Sequence, residues 1–355
     1  MRVSGTTRSM GRVAAAATAI LVQLTLAVAT AQAPGKWVNL APFPEPREEM
    51  FGAAANGKVY AFGGLIPYWK TAGVVYEYDP VANTWAQKKQ MALPAHHLAL
   101  TDYQGKIYIF GGFVYPEVGA AAWVPINNAW EYDPAKDSWR ALAPMPTKRG
   151  AAAATLVGDK IYVVGGGTLA VGAKEPYLDF TTRQNVLGTV EEYDIKTNTW
   201  RTRTPMPTPR NHIALGAVNN KIYAIGGRVG SVYISMGSDV SLVEVYDPAT
   251  DMWLPQGARM PTSRSGVAFG TYGGKIYVAG GEWQDPVVQT TFRAFEAYDP
   301  ATNTWQVLPP MTLARHGVAS AVLGNRFYAI SGDVQSSGTG VAVSTKSVDA
   351  FEFVK

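Results

Sequence analysis

Residues Gly273 to Trp305 read GGKIYVAGGEWQDPVVQTTFRAFEAYDPATNTW, and their order decides the fold. A Gly-Gly turn leads into Lys275-Ile276-Tyr277-Val278-Ala279, a short β-branched and aromatic run that ends at the pair Gly280-Gly281. A polar loop follows, then a second aromatic run closing on Tyr298-Asp299-Pro300, a turn, and Trp305. Runs of this length bounded by glycine, proline and asparagine are strands. Proline fixes φ at one turn position, while Asp and Asn side chains cap the turn with hydrogen bonds, so the second hairpin is specified by its chemistry.

The unit recurs. Glycine pairs stand at Gly63-Gly64, Gly111-Gly112, Gly165-Gly166, Gly226-Gly227 and Gly280-Gly281, with Ser331-Gly332 as a degenerate sixth. Each follows a hydrophobic-Tyr step, from Val59-Tyr60 to Phe327-Tyr328, and the first five lead to a tryptophan at 85, 139, 200, 253 and 305. A period near 50 residues carrying Gly-Gly, Tyr and Trp resembles the kelch repeat. That resemblance implies an all-β, six-bladed kelch β-propeller of four-stranded blades. The sixth copy ends without a tryptophan, and Trp37 near the other end supplies one. The expected closure is therefore an N-terminal strand completing the last blade, which leaves no open sheet edge.

Residues 1–31 stand apart from the repeats. Arg2, Arg8 and Arg12 precede an apolar run from Val13 to Val28, followed by small residues at Ala29, Ala31 and Ala33. These are the parts of a secretory signal peptide with cleavage after Ala31, giving a propeller over 32–355 that is secreted or periplasmic. An uncleaved anchor is the competing reading, because the apolar stretch approaches the roughly 20 residues that span a bilayer. The three leader arginines account for three of the four net positive charges, so the remainder carries +1. That removes the electrostatic case for nucleic acid or an anionic membrane as partner. The chain has no cysteine, hence no disulfide framework and no thiol nucleophile or ligand.

Strand parity identifies the working face. In a four-stranded meander the 1–2 and 3–4 turns lie on one side, and here they are tight. The opposite side receives the long 2–3 loops, such as those running from Phe113 to Pro125 and from Leu169 to Gly188, together with the 4–1 connections of the form Met-Pro-X-X-Arg. Long, dissimilar loops on a rigid frame are where binding sits.

Candidate binding residues lie on that face. Arg47, Arg149, Arg210, Arg264 and Arg315 share one repeat position, where Ala95 breaks the pattern. Such a ring presents planar donor forks suited to carboxylates or polar sugars; equally, a residue present in five of six units serves the scaffold. All four histidines, His96, His97, His212 and His316, fall within the next two positions. They could ligate zinc or copper or act as a general base, or simply make loop hydrogen bonds. If the strand has begun there, at most one of His96 and His97 faces the channel. Glu48 and Glu49 hold the matching places in the first unit, as acid, base or salt-bridge partner of Arg47. Tyr68, Trp69, Tyr115, Trp123, Tyr177, Tyr233 and Trp283 decorate the long loops, suited to stacking on a ligand or to packing within the loops. The non-repeating Glu282-Trp283-Gln284-Asp285 is the first place to look.

The combined expectation is an exported binding module, acting as a monomer through its long-loop face on a small carbohydrate or protein ligand. No cofactor and no metal are expected. The alternative is a carbohydrate-active enzyme, because kelch propellers of similar size and export signal include sialic acid mutarotases. A copper radical enzyme resembling galactose oxidase is excluded by the missing cysteine.

Overall fold

The computed structural model describes Met1 and residues 34–66, 70–116, 122–285, 287–336 and 343–354; the rest of the leader and the aromatic residues Tyr68 and Trp69 lie outside the described residues. Among the described residues there are six four-stranded antiparallel sheets. Blade 1 comprises Phe51–Ala55, Lys58–Phe62, Val75–Asp79 and Thr84–Gln87, and the other blades repeat that order outward from the channel. The inner strands are Phe51–Ala55, Ala99–Tyr103, Ala153–Val157, Ala214–Val218, Ala268–Tyr272 and Ala319–Leu323, each touching the next around a closed ring. Blade 6 is completed by Gly35–Asn39, which pairs antiparallel with Val348–Phe353 from Gly35 opposite Phe353 to Asn39 opposite Asp349. No described helix is long and apolar enough to cross a membrane.

Six apolar clusters hold the blades together, one at each interface, for instance Val59 and Tyr78 of blade 1 against Tyr328 and Ala350 of blade 6. Each repeated motif has a task at these interfaces. The six tryptophan indoles each donate to a carbonyl in the connection leading out of the preceding blade, from Trp85 to Ala41 (3.0 Å) around to Trp37 to Pro309 (2.8 Å). The turn asparagine or aspartate, in the left-handed region at Asn83, Asp137, Asn198, Asp251 and Asn303, works on both sides. Asn83 Oδ1 accepts from the Tyr78 hydroxyl (2.6 Å) and from the Ala41 amide (2.8 Å), and the other four make the same pair of bonds.

The glycine pair is needed because the next blade's backbone lies against it. A Cβ at Gly63 would stand 2.4 Å from the Ala95 carbonyl oxygen, and one at Gly165 2.4 Å from that of Arg210. In the degenerate sixth pair, Ser331 adopts a positive φ and its hydroxyl donates to the Arg47 carbonyl at 2.7 Å, converting the close approach into a hydrogen bond.

Candidate functional site

The recurring arginines are absorbed by the scaffold. Arg149, Arg210, Arg264 and Arg315 are fully buried. Each ion-pairs with an acid on the third strand of its own blade, Glu191, Glu244, Glu296 and Asp349 respectively, at 2.6–2.9 Å. Further donors reach strand and loop carbonyls, as Arg149 does to Val163 and Thr189 (both 3.1 Å). A threonine of the connection completes each clamp: Thr147, Thr208, Thr262 and Thr312 donate to the same carboxylates. Blade 1 moves the acid. Tyr76 occupies the strand position, and Glu45 from the connection takes both Arg47 and the Tyr76 hydroxyl. Blade 2 replaces the whole set by Leu93, Ala95 and Trp130, which pack in one apolar cluster. Arginine and acid are thus present or absent together, the mark of an internal clamp. This corrects the reading of Arg47, Arg149, Arg210, Arg264 and Arg315 as a ligand-gripping ring: the last four turn their forks into the blades, and Arg47 is buried against Glu45.

The two residues after each clamp position build the neck of the channel. The first of them, Glu48, His96, Gly150, Asn211, Ser265 and His316, forms a backbone bridge to the residue just after the glycine pair: Leu65, Phe113, Gly167, Arg228, Glu282 and Asp333. The second, Glu49, His97, Ala151, His212, Gly266 and Gly317, has a φ of 51–62° in every blade. Backbone bonds link this second set from blade to blade, as from the Ala151 amide to the His97 carbonyl and from the His212 amide to the Ala151 carbonyl, both 2.9 Å. Left-handed backbone is uncommon for residues other than glycine, and here it turns three large polar side chains, Glu49, His97 and His212, into the neck. The turn also decides between adjacent histidines: His97 lines the cavity, while His96 stands behind it, with its Nδ1 2.5 Å from His97 Nδ1.

Above the neck, on the long-loop face, lies a narrow cavity, with about 20 Å³ of water-accessible space, whose walls include Trp123, Phe180 and Tyr233 and whose floor carries Glu48, Glu49, His97, His212, Arg228 and Glu282. Below it, a second space, with about 80 Å³ of water-accessible volume, is lined by Leu98, Ala99 and Ala151 to Ala154, and Glu49 and His212 border both. Phe113, Trp123, Leu178, Val232 and Tyr233 make a satellite core that fastens the loops of blades 2, 3 and 4 over the channel. Trp123 and Tyr233 stack at 4.5 Å between centroids within it. Trp283 is half-buried on a two-stranded loop and does not line the cavity, whereas its neighbour Glu282 does.

The floor is rich in carboxylates. Glu49 reaches His97 Nε2 with Oε2 (3.3 Å) and His316 Nε2 with Oε1 (3.8 Å), and Glu48 and Glu282 lie 3.9 and 3.6 Å from the same His316 nitrogen. Arg228 donates to Glu282 (2.7 Å), Ser265 and the Val232 carbonyl. Burial pushes the Glu48 carboxyl well up, with Asp333, Glu49 and Glu282 adding repulsion. Burial likewise lifts Glu49 to about 7 against the opposing pull of His316. Burial takes His96 down to about 3 and holds His97 and His212 well below the usual imidazole range. The arrangement therefore offers neutral imidazoles and protonatable carboxyls in one water-poor space.

Asp239 gives the site a measurable pH signature. Burial raises it to about 6 while Arg228 opposes. A carboxyl raised on folding contributes stability that is full below its unfolded value and is lost as pH rises through the folded value, here from about 4 to about 6. In urea unfolding across that window the native chain should lose up to roughly 3 kcal/mol relative to Asp239→Asn. Parallel pH profiles for the two proteins would contradict the assignment.

Glu282 heads the non-repeating stretch singled out from sequence, whereas Arg228, Asp333 and Asp239 were not singled out. Arg228 and Asp333 share one signal with Glu282: they follow the glycine pair at the single position there that does not repeat.

The comparisons with known proteins agree with the architecture. The Attractin/LZTR1 beta-propeller family model matches residues 35–236, and the Kelch motif model matches residues 263–312. The chain is 32% identical over 321 residues to "Kelch-like protein terF" of Aspergillus terreus, covering 86% of this chain and 66% of that protein. It is 28% identical to "Kelch-like protein 36" of Bos taurus, covering 81% of this chain and 44% of the relative. It thus spans about two thirds of the former and less than half of the latter. Among solved structures, "Structure of YjhT" superposes with a TM-score of 0.68 at 18% identity, over 87% of this chain and 96% of that one, a likeness of fold. Matched by family models, by curated relatives and by blade architecture, this chain belongs to the kelch-repeat β-propellers.

Proposed function

We propose that this chain is an exported binding module that docks a protein partner on its long-loop face. The supporting observation is where apolar surface is left exposed. Val171 (95% exposed), Phe180, Met236, Val287 (89%), Val288 and Val343 all lie on the 2–3 loops of four consecutive blades, 3 to 6. Large apolar side chains held out on loops above a rigid frame are the contacts that a partner's surface buries. The half-exposed Phe180 also walls the central cavity, joining that rim to the buried ionisable floor.

Replacing Val171, Met236 and Val287 together by aspartate should weaken partner capture by tenfold or more. Val81→Asp with Met252→Asp, on a tight turn and an outer strand, serves as the control. Cross-linked partner recovered from the native source reports the outcome. Equal loss with both sets, or with neither, would remove the loop face from the function.

A small polar ligand entering this narrow cavity is the second reading, supported by the aromatic wall and convergent polar floor. The carbohydrate-enzyme alternative has lost its arginines to the clamps and rests on the same floor groups alone.

A further inference from the structure

We propose that Glu49, His97 and His212 form a binding site for one divalent transition-metal ion at the neck of the channel. One donor atom from each of the three lies within 4.8 Å of the other two. Metal–ligand bonds of about 2.0–2.2 Å place neighbouring donors roughly 3.0–3.5 Å apart. Glu49 Oε2 and His97 Nε2 already stand at 3.3 Å, so the remaining adjustment is a side-chain movement of at most about 1.3–1.8 Å.

The second observation is how the imidazoles are aimed. His212 Nδ1 faces Asn211 Oδ1 at 2.5 Å, and Asn211 is fixed by its own Nδ2 donating to the Ser231 carbonyl (2.9 Å). An N–H on Nδ1 leaves Nε2 bare towards the neck, the arrangement by which a second residue sets the tautomer of a metal-binding histidine. His97 Nδ1 faces His96 Nδ1, so Nε2 is again the atom directed at Glu49. The third observation is the backbone. Of six equivalent left-handed positions, two carry glycine and one alanine, and the three that carry large side chains are these three donors. Strain of this kind persists where surrounding structure enforces it, commonly at functional sites.

The donor set chooses the class of ion. Two imidazoles and one carboxylate suit zinc, iron(II) or cobalt(II) rather than magnesium or calcium. The donors come from blades 1, 2 and 4, while Ala151, Gly266 and Gly317 contribute no donor side chain. Both the aromatic cavity above and the apolar space below adjoin Glu49 and His212. Coordination positions not filled by protein would therefore be available to an exogenous ligand. This inference does not depend on a protein partner, since it concerns the chain alone.

The test uses the full chain, stripped with chelator and titrated with cobalt(II), followed by zinc competition and metal analysis after dialysis. One equivalent per chain with a visible cobalt spectrum is expected. His97→Asn and His212→Asn keep a residue tolerant of the left-handed region, and each should weaken uptake at least tenfold; Asp102→Asn, lower in the channel, should not. Retention of one equivalent by the folded double variant, or no stoichiometric uptake by the native chain, would overturn the site. Should the variants fail to fold, zinc-edge X-ray absorption of the native protein decides: imidazole scattering supports the site, and an oxygen-only shell refutes it.

Discussion

Arg210→Ala will lower the unfolding free energy by about 3–5 kcal/mol, and replacing Glu244 in the same chain will restore much of that loss. Arg210 is fully buried, with bonds to Glu244 (2.8 Å) and to the carbonyls of Gly226, Ala224 and Leu242. Removing it strands a buried carboxylate with, among the described residues, only Thr208 as side-chain donor. The pair itself is worth less than that loss suggests, because taking both charges out of water cancels much of their attraction. Blade 2 shows the apolar alternative, with Leu93, Ala95 and Trp130 at the corresponding places. The triple replacement Thr208→Leu, Arg210→Ala, Glu244→Trp should accordingly recover most of the stability in urea unfolding, while Arg210→Ala alone should not. A triple variant no better than the single would refute the clamp as a self-contained unit.

A chain lacking residues 1–40 will lose on the order of 5 kcal/mol or more, a large share of the 5–15 kcal/mol typical of a folded protein. Gly35–Asn39 supplies the fourth strand of blade 6, and without it Val348–Phe353 becomes an open edge. Trp37 goes with it. Its indole packs 5.1 Å from Phe295 and 5.5 Å from Phe351, between centroids, and donates to the Pro309 carbonyl. The truncated chain should aggregate, and a synthetic peptide of residues 34–41 should restore cooperative thermal unfolding, with the same peptide carrying Trp37→Ala much less effective. A truncated chain that unfolds at the native temperature without peptide would show that closure does not depend on this strand.

Repetition made the frame legible. The glycine pairs, the Tyr-Asp-Pro turns and Trp37 could each be read from their recurrence or from one missing copy. The arginine clamp was visible as a repeat, but its acid lies on another strand, and only the joint absence at Ala95 and Trp130 links the two in sequence. The choice between His96 and His97 was beyond strand parity because the backbone there is left-handed rather than extended. The meeting of Glu48 with His316 follows from closing the ring, which brings distant segments of the chain side by side.

The register of Gly35–Asn39 against Val348–Phe353 also sets the order in which the protein can be finished. On a chain emerging from its amino end, the first strand is complete long before its partner exists. Blades 1 to 5 contain only strands close to one another in sequence, so each can form as it appears. The last blade must wait for Val348–Phe353, and its pairing carries the largest sequence separation among the described strand pairs, the kind of contact that slows folding. Until then the growing array presents a bare sheet edge to its surroundings, so the interval before closure is when the chain is most exposed to misassembly.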